Sequence, residues 1–207
     1  MLSQTERSVV ESTPGFLHPD EGKRLHDLTL EAGRKGPVLE IGSYCGKSAV
    51  YIGSACRQTG ATLFSIDHHR GSEEQQPGET YFDPALYDIK TGRVDTLPAF
   101  RHTLDAAGLN EVVVAVIGAS AVVARSWQTP LALVFVDGGH DPASARADVF
   151  AWSPHILPGG FLAIHDIFPD PADGGQGPYQ AYLEIIASGQ FAECAMTKTL
   201  GVLQRIN

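Results

Sequence analysis

Three short stretches hold the residue types that do chemistry. Asp137-Gly138-Gly139-His140 and His165-Asp166 each close an apolar run. Glu40-Ile41-Gly42-Ser43-Tyr44-Cys45-Gly46 closes another, and Asp67 closes a fourth. Carboxylates and imidazoles brought together in a cleft hold cations or move protons near neutral pH. A plainer reading stands beside this one, in which two strand-end aspartates and two hydrogen-bonded histidines are structural. Gly42 and Gly46 let the backbone bend sharply and approach a ligand, because they have no Cβ. Here too a purely structural strand-turn-helix is the alternative. The spacing is neither G-x-G-x-x-G nor G-x-x-x-x-G-K-[ST], so the dinucleotide fingerprint and the P-loop are both excluded.

The elements that must position these residues follow from hydrophobic pattern. Val38-Leu39-Glu40-Ile41 reads as a buried parallel strand, and residues 49–56 as the crossover helix after the glycine loop. Leu63-Phe64-Ser65-Ile66-Asp67 is a second strand. Its acid falls roughly 20 residues past the loop, the separation one helix and one strand require in nucleoside-binding α/β units. Asp67 therefore stands where a ribose would be held, or it caps nearby backbone amides. The β-branched residues 112–117 read as a buried strand, with Ser120 as a helix N-cap and residues 122–127 as a short helix. Leu131-Ala132-Leu133-Val134-Phe135-Val136 is a continuous apolar strand, and residues 142–155 a helix with Val149 and Trp152 inward. Pro158-Gly159-Gly160 turns the chain into the strand 161–164 that delivers His165-Asp166. Two neighbouring strands thus deliver ionisable residues at their C-terminal ends, the ligand-binding edge of doubly wound sheets.

At the N-terminal end, residues 13–16 read as a loop. His18-Pro19-Asp20-Glu21 opens a helix that runs through Ala32, with acids in its first turn. Residues 68–95 are long and polar, a candidate lid. His68, His69, Arg70, Glu73 and Tyr81 are its candidate contacts to a hydroxyl-rich substrate, with a solvated insertion as the alternative. Residues 96–107 and 179–187 read as helices, and 191–196 with 200–206 as a terminal antiparallel hairpin.

With 207 residues the chain suits one domain, 1–207, divided into an N-terminal helical segment 1–36, the sheet, and the lid. A formal charge of −9 and dispersed basic residues argue against nucleic acid as a partner. No apolar run reaches the ~20 residues of a membrane span. The first seven residues lack a basic-then-apolar leader, and Cys45, Cys56 and Cys194 form no disulfide framework. A cytoplasmic protein is expected, with a homodimer as the expected assembly.

Glu40-x-Gly42-x-x-x-Gly46 resembles the cofactor loop of class I S-adenosylmethionine-dependent methyltransferases. The stretch from Leu133 to Ile167 resembles the metal-dependent O-methyltransferases, including those that methylate sugars. The resemblance implies a Rossmann-like α/β fold, with a mostly parallel seven-stranded sheet ending in an antiparallel hairpin. It implies S-adenosylmethionine at Glu40, Gly42, Ser43, Gly46, Ser48, Asp67 and Asp137, with the adenine near Ala119 and Ser120. It implies a divalent ion at Asp137, His165 and Asp166, with His140 as the general base. Mg²⁺ is the expected metal. Because His165 stands where relatives often have Glu, a softer ion such as Mn²⁺, or a substrate-binding role for His165, is the alternative. The small size and the lid residues from His68 to Glu74 resemble the enzymes of methylmannose polysaccharide synthesis. They imply a sugar acceptor, such as the 1-hydroxyl of a short 3-O-methylated mannoside. A catechol or antibiotic precursor as acceptor is the competing reading. A non-catalytic cofactor-binding protein on the same fold is the other.

Overall fold

The computed structural model describes residues 1–206. Two helices open the chain, α1 (Gln4–Ser12) and α2 (Pro19–Ala32). They are followed by β1 (Val38–Ile41), α3 (Lys47–Thr59) and β2 (Leu63–Asp67). The polar stretch comes next, with two one-turn 3-10 helices, Glu73–Gln75 and Pro84–Leu86, and a small hairpin of β3 (Tyr87–Asp88) and β4 (Arg93–Val94). Then come α4 (Leu97–Ala107), β5 (Val113–Ile117), α5 (Ser120–Ala124), β6 (Leu131–Val136) and α6 (Pro142–Trp152). The chain closes with β7 (Ile156–Ile164), α7 (Gly177–Ala187), β8 (Phe191–Glu193) and β9 (Gly201–Arg205).

Seven strands form one sheet in the order β5-β2-β1-β6-β7-β9-β8. The pairings from β5 to β7 are parallel, and those of β9 with β7 and β8 are antiparallel. This is the expected architecture. The central strands are buried on both faces, so they read as unbroken apolar runs rather than as alternating ones. Val38, Leu63, Leu133 and Phe135 pack on one side with Leu25, Leu28, Ile52 and Phe100 of α2, α3 and α4. Leu39, Ile66, Val134 and Val136 pack on the other with Val149, Trp152, Tyr182 and Ile185 of α6 and α7. The period of two along each strand is what divides these sets.

The chain winds outward from β1 through β2 to β5, then returns to β6 on the other side of β1. The strand order therefore reverses between β1 and β6, and the carboxyl ends of those strands open a crevice there. The glycine loop and Asp137 lie on that crevice.

Three expectations about elements are corrected. Strand β5 is not buried. It is the sheet edge, with Val114 44% and Ile117 51% exposed. A β-branched run suits an edge as well as a centre, so composition alone did not separate the two. Ser120 is not an N-cap: the cap is Ala119, and Ser120 Oγ accepts from Trp152 Nε1 at 2.7 Å. The Pro158-Gly159-Gly160 segment is not a turn before a strand but lies within β7, where the register with β6 jumps from Leu131↔Ile156 to Leu133↔Phe161. Gly159 takes φ +71, and a Cβ on Gly160 would lie 2.8 Å from the Ala132 carbonyl oxygen. Helix α1 is an addition to the sequence reading. Its capping box, Ser3 with Glu6, is a local signal for it.

Candidate active site

The glycine loop is built by the strand it follows. Gly42 takes φ +86, and a Cβ there would lie 1.9 Å from the Asp137 carbonyl oxygen. What approaches Gly42 is thus the chain's own backbone after β6. Gly46 takes φ +92 at the start of α3, against Phe100 and Thr103. No side chain caps that helix, so its first amides face the loop. Ser43 Oγ is buried without a hydrogen-bond partner. A buried hydroxyl in that condition, next to free amides, suits a polar ligand.

Glu40 is fully buried beneath this loop. Its carboxyl oxygens accept from Ser48 Oγ at 2.8 Å and Ser65 Oγ at 2.6 Å. Burial raises its pKa to about 7, against the two serine hydrogen bonds. Glu40 and Ser48, both expected at the cofactor, are joined to each other and brace the loop. Asp67 accepts from Tyr44 N at 2.8 Å and from His69 N at 2.7 Å, so it clasps the glycine loop to the end of β2. A carboxylate has about four acceptor positions, which leaves Asp67 capacity for a ribose hydroxyl.

Across the crevice, two histidines and four acids interlock. His140 Nε2 lies 2.9 Å from Asp166 Oδ2, and His140 Nδ1 lies 3.1 Å from Glu74 Oε2. The hydrogen bond to Asp166 raises the His140 pKa to about 9, against burial. His165 Nε2 lies 2.9 Å from Glu21 Oε2, while its Nδ1 lies 3.1 Å from Asp137 Oδ1 and 3.3 Å from Asp166 Oδ2. Burial opposes a charge on His165, yet Asp137, Asp166 and Glu21 outweigh it and push the pKa well up. Both His165 nitrogens thus face carboxylates, which favours its charged form. Glu21 in turn accepts from His18 N at 3.0 Å, Thr199 N at 2.9 Å and Thr199 Oγ1 at 2.8 Å. Burial favours its neutral form, but His165 and Thr199 bring it down to about 2. Asp166 holds φ +57, and Tyr44 and His69 are likewise left-handed at +46 and +56. Such strained non-glycine residues cluster at functional sites.

Asp137, His140 and Asp166 offer ligand atoms that all lie within 4.8 Å of one another. The hard carboxylate oxygens of Asp137 and Asp166 fit a divalent cation, with the His140 imidazole beside them. His165 stands outside this group. With both nitrogens already donated to carboxylates, it serves as a counter-charge beneath the site rather than as an open ligand.

Residues 68–95 reach the site through Glu74, a residue other than those expected. His69 turns inward, 2% exposed, with Nδ1 2.7 Å from Thr96 Oγ1. It is not placed to meet a substrate, and burial lowers its pKa. Arg70 is drawn to its own loop, 3.4 Å from Asp95 and from the Val94 carbonyl oxygen. His68 accepts from Arg70 N at 3.0 Å and stays exposed, as does Glu73. Tyr81 is 47% exposed and meets Phe16 edge-on at 5.1 Å, and Phe16 lies 6.2 Å from Tyr44. Three rings from separate segments thus form an aromatic rim. Ala119 is exposed just past β5, and Ser120 is engaged by Trp152. Sequence reading missed Glu21, Glu74 and Phe16. Glu21 was legible only as a helix-cap acid and Glu74 only as one of several lid acids.

A doubly wound sheet with its ionisable residues gathered at the switch point defines an α/β protein with a candidate ligand crevice at its strand ends. The chain belongs to the methyltransferase-domain family, whose profile matches residues 39–167. Its structure is similar to an O-methyltransferase from Bacillus cereus in complex with S-adenosylhomocysteine, with TM-score 0.70, 17% identity, and coverage of 100% of this chain and 92% of that one. It is similar to TomG from Streptomyces achromogenes, an O-methyltransferase involved in tomaymycin synthesis and solved with S-adenosylmethionine. The TM-score there is 0.68, with 14% identity and 100% and 91% coverage. A methyltransferase from Podospora anserina bound to S-adenosylhomocysteine gives 0.67, 14%, and 100% and 89%. Among the described residues no helix is long and apolar enough to cross a membrane.

Proposed function

We propose that this protein transfers a methyl group from S-adenosylmethionine to a hydroxyl oxygen, with His140 as the proton acceptor and Asp137 and Asp166 as holders of a divalent cation. The observation that supports this reading most is the grouping of Asp137, His140 and Asp166 at the crevice edge, beside the glycine loop. When bound, S-adenosylmethionine supplies an electrophilic methyl on a sulfonium. A divalent cation would lower the pKa of the acceptor hydroxyl and compete with His140 for Asp166. With Asp166 drawn to the cation, His140 would give its Nε2 proton to solvent, and the neutral Nε2 would then take the hydroxyl proton. The acceptor oxygen bonds to the methyl carbon, the carbon–sulfur bond breaks, and sulfur keeps the electron pair. The glycine loop and Asp67 would hold the donor, and in-line approach of the acceptor oxygen would supply the orientation term.

The narrower reading takes the acceptor as a sugar hydroxyl, such as the 1-hydroxyl of a short 3-O-methylated mannoside. The polar lid beside the site supports it. A catechol or antibiotic-precursor acceptor is the second reading, supported by the aromatic rim of Phe16, Tyr44 and Tyr81. The test is transfer of label from methyl-labelled S-adenosylmethionine to 3-O-methylmannose and, separately, to catechol. Each assay is run with Mg²⁺, with Mn²⁺ and after chelation. Transfer that chelation abolishes and Mg²⁺ restores is the expected result. Transfer that survives chelation sinks the cation assignment. Cofactor binding without transfer to any hydroxyl acceptor leaves only a non-catalytic binding protein.

A further inference from the structure

Glu74 lies on the lid, 66 positions before His140, yet its carboxylate meets the His140 ring at 3.1 Å. We propose that Glu74 is a positioning residue, which holds the His140 ring from the lid so that Nε2 faces the reacting oxygen. The inference rests on the reading of His140 as proton acceptor. Its physical basis is the geometry of the imidazole. A ring that donates Nδ1–H to a carboxylate keeps the lone pair of its neutral form on Nε2, the atom that must accept a proton. The Nε2 side faces Asp166 at 2.9 Å, so the ring is gripped on both edges by carboxylates from opposite walls of the crevice.

The mount of Glu74 separates this contact from a chance surface pair. Glu74 is the middle residue of the 3-10 turn Glu73–Gln75, which a Ser72–Gln75 capping box closes. Gln76 Nε2 donates to the carbonyl oxygens of Arg70, Gly71 and Ser72 at 3.0, 3.3 and 2.8 Å. Tyr81 N donates to the Glu74 carbonyl oxygen at 3.0 Å, and the Tyr81 ring packs on Phe16. The two ends of the lid are joined where Thr96 N donates to the His69 carbonyl oxygen at 3.2 Å and Thr96 Oγ1 meets His69 Nδ1. The backbone under Glu74 is therefore fixed from three sides. As an ion pair, with Glu74 48% and His140 33% exposed, the contact adds little to stability. Its consequence is orientation, and it makes the base depend on the lid being in place.

The test uses the full chain and needs no acceptor. A downfield proton resonance from His140 Nδ1–H, protected from exchange by Glu74, is expected in the wild type and assigned by its loss in His140→Gln. It persists in Glu74→Gln, whose amide carbonyl still accepts, and disappears in Glu74→Ala. In steady-state transfer to 3-O-methylmannose, Glu74→Ala lowers kcat about tenfold with KM within about twofold, and Glu74→Gln recovers most of the loss. A resonance absent from the wild type, or unchanged in Glu74→Ala, overturns the proposal whatever turnover shows. A resonance that behaves as expected in a protein that transfers no methyl group leaves Glu74's hold on the ring standing and counts against the reaction instead.

Discussion

His140 and His165 stand on adjacent strand ends and share the Asp166 carboxylate, yet they face opposite surroundings. His140 is one-third exposed and touches the lid, whereas His165 is 5% exposed and touches α2 through Glu21. Both are pushed toward the charged form by acids. The difference is what each can do next. A partly exposed imidazole can exchange partners with a substrate, so it can move a proton. A buried one with both nitrogens bonded to carboxylates is held charged, because releasing it would leave acids unpaired in a dry interior. The crevice thus has one histidine open to solvent and one enclosed among acids.

Removing the enclosed histidine should have the largest effect. His165→Gln leaves Glu21, Asp137 and Asp166 short of their cation, and loss of one partner from a buried ion pair costs about 3–5 kcal/mol. Urea denaturation should show that loss. An unchanged midpoint would erase the contrast between the two histidines. Next, His140→Ala should lower methyl transfer about a hundredfold or more, with stability changed by less than about 1 kcal/mol and S-adenosylhomocysteine affinity retained. Full turnover in that variant removes His140 as the base.

A third effect, spread over pH, concerns Glu40, a buried acid with serine partners. Its carboxyl is raised from 4.5 to about 7 in the fold. A raised pKa means the folded state binds the proton more tightly than the unfolded chain. That contribution is fully present below about pH 4.5 and is lost as the pH climbs through about 7, at no more than about 1.4 kcal/mol per pH unit. Glu40→Gln, neutral at every pH, should flatten that segment of the stability profile. A profile identical to the wild type would mean that Glu40 is ionised in the fold.

Much of this was legible in the chain. The strands, the crossover helices, the glycine loop and the acids at strand ends came from local signals such as apolar runs, turn residues and caps, and these fix the elements and their order. Even the terminal hairpin, Phe191–Glu193 with Gly201–Arg205, was readable because its partners are close in sequence. The edge position of β5 was not, since a strand's neighbours are a property of the whole sheet.

The chain by itself therefore determined which ionisable residues arrive at the crevice: Asp67, Asp137, His140, His165 and Asp166, each the end of a legible strand or a few residues beyond it. Only the tertiary structure decided their partners. Glu21 meets His165 across 144 positions, and Glu74 meets His140 across 66. No periodicity links residues so far apart. Their meeting depends on how α2 and residues 68–95 pack against the sheet, and that packing separates the buried histidine from the partly exposed one.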